Sequence, residues 1–66
     1  MNQSAIEYHR NKSIIESLDL VIDILNSLQG ENIGLVLKRS FSLSATEAIK
    51  ERDFLIKKNK ELFKQF

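Results

Sequence analysis

Tyr8 and His9 are the side chains best suited to moving a proton, and Glu7 stands next to them. Neighbours in sequence on a helix do not face each other. The three therefore cannot form a nucleophile, a base and an orienting carboxylate. His9 is the only histidine and the chain has no cysteine. A zinc site would need three carboxylates around one imidazole, far from the usual nitrogen and sulfur donors. Asp19 and Asp23 lie one helical turn apart and could share a cation, but with Glu16 and Asn26 they read as a solvated polar stripe. Phosphate-cradling glycine loops, hydrolase serine motifs and zinc spacings are all absent from the sequence. The expectation is a protein that is not an enzyme and uses no cofactor or metal.

The second chemistry on offer is cationic. Lys57, Lys58, Lys60 and Lys64 crowd the last stretch and could contact the phosphates of a nucleic acid. With Phe54, Phe63 and Phe66 interleaved, the same stretch could rest on an acidic membrane surface. A net charge of only +1 gives little general attraction to DNA. A lysine-rich solvated face, drawn to acidic residues elsewhere in the chain, accounts for the same residues. Residues 1–34 hold two cations against five carboxylates, a net −3, while residues 49–66 hold six against three, a net +3. Such a division favours helix pairing in a defined orientation more than it adds stability.

These side chains must be carried by helices. There is no proline and only two glycines, Gly30 and Gly34. Apolar residues recur at Ile14, Leu18, Val21, Leu25 and Leu28, and again at Ile15, Leu18, Ile22 and Leu25. Both series step by three and four, the period of a helix face. Ser4 with Glu7 forms a capping box, and Gly30 supplies a left-handed stop, so the first helix is expected over about residues 5–29. Asn32 is a candidate N-cap for a short helix over about 33–39. Phe41 and Leu43 then fall in a serine-rich turn. Ser44 and Glu47 make a second capping box ahead of a helix over about 45–64. The apolar positions of that helix are Ala45, Ala48, Ile49, Leu55, Ile56, Leu62, Phe63 and Phe66, with Arg52 and Asn59 interrupting the series. A polar group in such a seam often fixes register or partner number. The expected fold is all-α: one domain, a three-helix unit in the order long–short–long, forming a helical bundle.

At 66 residues the chain buries only about 60% of what its unfolded form exposes, and a core of that size rarely suffices alone. Disulfides are excluded, so unusually good helix packing or oligomerisation remains. Two interleaved apolar series on the first helix make a stripe wider than one neighbour covers. The sequence thus points to a homodimer, with Ile15, Leu18, Ile22 and Leu25 as the preferred seam and Leu55, Leu62 and Phe63 joining from the last helix. A seam centred on Ile14, Val21 and Leu28 is the alternative. The function expected is protein–protein interaction or dimerisation, including regulation of a larger partner. A small nucleic-acid-binding dimer is the competing class. The longest apolar runs, Leu20-Val21-Ile22 and Leu35-Val36-Leu37, are far short of a membrane span, and Met1 to Lys12 contain no signal-like run, so the chain reads as cytoplasmic.

Two stretches add a family likeness. Ile14-Ile15-Glu16-Ser17-Leu18 followed by Val21-Ile22-Asp23 resembles Ile-Leu-Glu-Gly-Leu followed by Ala-Leu-Asp. Phe41-Ser42-Leu43-Ser44-Ala45-Thr46-Glu47-Ala48 resembles Phe-x-Leu-Ser-x-x-Gln-Ala, with Glu47 in place of Gln. Both patterns occur, in this order, in the C-gate region of the A subunits of bacterial type IIA DNA topoisomerases, gyrase and topoisomerase IV. After Ala48 the likeness stops, since Lys50, Glu51 and Arg52 stand where that family continues with apolar residues. The resemblance implies dimerisation through helices at the end of a coiled coil. It gives Tyr8 no catalytic role.

Overall fold

The computed structural model describes residues 2–65 of the chain. They form two helices, α1 (Gln3–Gln29) and α2 (Leu35–Phe63), joined by a turn over residues 30–34. Ser4 meets Gln65 and Asn11 meets Asn59, so the helices run antiparallel as a hairpin. Its Cα atoms extend 48 × 14 × 12 Å. The long dimension is close to the roughly 43 Å that a 29-residue helix spans. The radius of gyration is 15.1 Å, against about 11 Å for a globule of this length. This is a rod, and most of its surface faces outward.

One pattern explains which side chains are covered. On α1 the positions Ser4, Tyr8, Asn11, Ile15, Leu18, Ile22, Leu25 and Gln29 are all buried or half-buried, stepping by four and three. On α2 the same holds for Phe41, Ala45, Ala48, Arg52, Leu55, Asn59 and Leu62. This is the seven-residue spacing of an antiparallel coiled coil, closed inside one chain. The core proper is small. Ile22, Ala45, Leu55 and Leu62 are its buried apolar residues among those described.

Two helices stand where the sequence predicts three. The serine-rich stretch around Phe41 and Leu43 is helical, and the expected short and last helices are one continuous α2. Serine costs only about half a kcal/mol in a helix relative to alanine. Half-buried Phe41 and buried Ala45 carry the inward seam straight through the stretch. Within it the Thr46 hydroxyl donates to the Ser42 carbonyl (3.0 Å), and Glu47 pairs with Lys50 (3.5 Å) rather than capping at Ser44.

The caps also differ from expectation. Asn2, not Ser4, caps α1: its side-chain oxygen accepts from the Ala5 N–H at 2.7 Å. Gly30 closes α1 with a right-handed backbone (φ −79°, ψ −10°), so no left-handed stop is used. Gly34, not Asn32, occupies the N-cap of α2 and lends no side chain to it. Phe66, counted with the last apolar series, lies outside the described residues.

Candidate interaction surface

The inward seam has a polar layer near the open end of the hairpin. Asn11 and Asn59 are both buried, and the Asn11 Nδ2 donates to the Asn59 Oδ1 at 3.1 Å. The Asn59 Nδ2 donates in turn to the Tyr8 carbonyl at 3.1 Å. Among the described residues no buried side-chain polar atom is left without a partner. A satisfied buried amide pair contributes little net stability but penalises any shifted register, because a shift strands both amides. Asn59 is visible in the sequence as an interruption of the apolar series. Asn11 is not, because its signal is only its place four residues before Ile15 and three after Tyr8.

Two ion pairs cross between the helices on either side of this layer. The Arg52 Nη1 meets the Asp19 Oδ1 at 2.9 Å, and the Lys58 Nζ meets the Glu7 Oε1 at 3.1 Å. Hydrogen bonding to Asp19 raises the already high pKa of Arg52, opposed by its partial desolvation. The acidic first helix and the basic last helix are thus joined inside one chain. Asp19 is engaged by Arg52, and no cluster of three potential metal-ligating side chains occurs among the described residues. The rings of Tyr8 and His9 stand edge to face at 5.3 Å, and Tyr8 also leans on Phe63 at 5.7 Å.

Of the residues the sequence singles out for an interface, Ile22, Leu55 and Leu62 are buried between α1 and α2. Ile15, Leu18 and Leu25 occupy the same inward seam, half-buried, whereas Phe63 is 58% exposed at its edge. The lysines part company. Lys58 turns toward Glu7, and Lys64 pairs with Glu61 at 3.6 Å. Lys57 and Lys60 lie on the exposed surface of α2. Beside Phe63 a groove of about 640 Å³ opens between the helices, lined by Tyr8, Ile15 and Ile56 together with Lys12, Lys60 and Lys64.

What remains is a second surface, wholly outward. Ile14, Val21, Ile24 and Leu28 on α1 are 41, 43, 51 and 36% exposed. At the turn end, Leu35, Val36 and Leu37 are also exposed, and Phe54 stands out from α2. None of the described helices is long and apolar enough to cross a membrane. Against known proteins, the chain matches no family model, no curated protein and no solved structure. These surfaces are therefore the ground on which a function can be read.

Proposed function

We propose that the chain is a non-enzymatic helical protein–protein interaction module whose first partner is a second copy of itself. One observation carries the reading: thirteen large apolar side chains are exposed, against four buried apolar residues, among those described. Scattered exposed apolar residues are normal on any protein. A file of aliphatics along one helix is not, since a contiguous apolar patch on a soluble protein marks a contact surface. Each large aliphatic side chain gains about 1.5–3 kcal/mol when fully buried. A domain this small holds only a few kcal/mol alone, so covering the file adds an amount comparable to the hairpin's own stability.

The likeness to the topoisomerase C-gate favours the same conclusion, because that region dimerises through helices. A larger protein partner, which this module would regulate, would meet the same file of side chains. The nucleic-acid reading draws less support, since Lys58 and Lys64 spend their charge on Glu7 and Glu61. Sedimentation equilibrium across a concentration series tests the proposal. The expected result is a dimer whose melting temperature rises with concentration. A stable helical monomer at tens of micromolar overturns it.

A further inference from the structure

We infer that two copies meet along α1 alone, antiparallel, about a two-fold axis near Val21, with Arg10 of each copy beside Glu31 of the other. The inference rests on the self-association proposed above and specifies its geometry. Its basis is a second four-and-three series on the outside of α1: Arg10, Ile14, Ser17, Val21, Ile24, Leu28 and, just past the helix end, Glu31. All seven are exposed, and the four aliphatics fall consecutively apart from small Ser17. That spacing is what a helix presents to a second helix.

The series is symmetric about its middle. Ile14 and Leu28 lie seven residues to either side of Val21, and Ser17 and Ile24 lie four and three away. Two antiparallel copies therefore set Ile14 opposite the partner's Leu28, and small Ser17 opposite the partner's Ile24. The ends decide the orientation. Arg10 and Glu31 are opposite in sign and lie eleven and ten residues from Val21. Antiparallel packing joins them twice, whereas parallel packing would set arginine against arginine and glutamate against glutamate. Neither has an ion-pair partner among the described residues of its own chain.

The other surfaces fit a second copy less well. On α2 the same side of the hairpin has one large apolar residue, Phe54, among Glu47, Glu51, Lys58 and Glu61, and so presents no apolar file. On the opposite side the series Ile49, Ile56 and Phe63 is broken within its span by Asp53 and Lys60, and Ile49 is already half covered. In the outer series of α1 the charges fall only at its two ends, Arg10 and Glu31.

The test uses the full chain, which has no native cysteine. Val21→Cys, at the two-fold, should oxidise to a linked dimer, because a disulfide needs Cα atoms within about 7 Å. Asp23→Cys, on the far side of α1, should not. Arg10→Glu and Glu31→Arg should each weaken the dimer about three- to tenfold, as expected for losing two exposed ion pairs. The double reversal should restore it. Linking in the Asp23→Cys variant but not in the Val21→Cys variant overturns this geometry while leaving self-association standing, and so does a double reversal that fails to recover the dimer. A monomeric wild-type chain overturns both.

Discussion

The two seams of α1 share one spacing and differ in what answers them. The inner seam mixes side chains that would be poor alone: Asn11 buried, Tyr8 and Gln29 half-buried, aliphatics between. It packs along α2, and two of its polar members are matched across the hairpin, Asn11 with Asn59 and Ser4 with Gln65 just beyond the helix at 2.7 Å. The outer seam holds the same number of aliphatics, four, and none of its members is covered by α2 among the described residues. Apolarity alone therefore does not tell which face of an amphipathic helix a protein uses for its own fold. Matched partners do: the seam whose Asn11 and Ser4 find partners across the hairpin lies inside, and the seam ending in Arg10 and Glu31 lies outside.

A charge placed in each seam separates their roles most sharply. Ile22 is 5% exposed at the centre of the inner seam. Ile22→Asp would bury a carboxylate with no cation to meet it, an effect on the order of 3–5 kcal/mol. The expected outcome by circular dichroism is loss of helix at every concentration. Val21→Asp makes a similar chemical change one residue away, on the outer seam. At the two-fold it sets two carboxylates together and removes two valines from the contact, so the dimer should weaken about a hundredfold in sedimentation. Helix should persist at every concentration, because the inner seam is unchanged. If the two variants behave alike, the seams are not separable.

The polar layer gives the next effect in size. Asn11→Leu leaves the Asn59 Oδ1 without its donor in a buried position, and the expected cost is about 1–3 kcal/mol. Asn11→Leu with Asn59→Leu removes both amides and should recover most or all of that loss. What the double variant should lose is uniqueness, because sliding the helices no longer strands a polar group. A thermodynamic cycle on the melts reads the first expectation. Amide NMR spectra read the second, as more peaks than residues. A double variant as unstable as the single would show that the layer acts through packing.

Much of this is legible in the residues. The helical spacing from Ile14 to Leu28 marks α1, and Ala45, Leu55 and Leu62 mark the inward side of α2. The missing third helix traces to Ser40, Ser42 and Ser44, which look like a turn because serine also favours caps. Phe41 and Ala45 hold the helix there through tertiary contact, which local propensity does not register. Asn11 is hidden for a related reason. Apolar periodicity starts the seam at Ile14 or Ile15, whereas the folded chain starts it at Ser4 and fills it with polar groups that have partners more than forty residues away. Of the two apolar series on α1 the inner one is visible as it stands, whereas the other is read through Leu18 and Leu25, which face inward, and without Ile24. Which of them faces inward depends on α2, and that lies outside any window of local sequence.

The smallest expected effect concerns the turn that sets the two helices side by side. Gly34 sits at the N-cap of α2 with φ −63° and ψ 154°, a backbone that any residue adopts. No atom lies within 4 Å of where a Cβ would go. The first turn of α2 has no acidic residue, and its cap has no side-chain hydrogen bond. Gly34→Asp would supply an oxygen for the N–H groups of Val36 or Leu37 and a negative charge at the positive end of the helix. It would also remove the flexibility that glycine lends the unfolded chain. Together these are worth about 0.5–1 kcal/mol. Because position 34 belongs to neither seam of α1, the gain should appear in the hairpin and not in the dimer contact. Thermal melts should shift upward by a similar amount at low and high concentration, and the dissociation constant read by sedimentation of the folded protein should not change. A gain that grows with concentration would mean that the turn takes part in the contact between copies, with Leu35, Val36 and Leu37 extending the outer seam beyond Glu31.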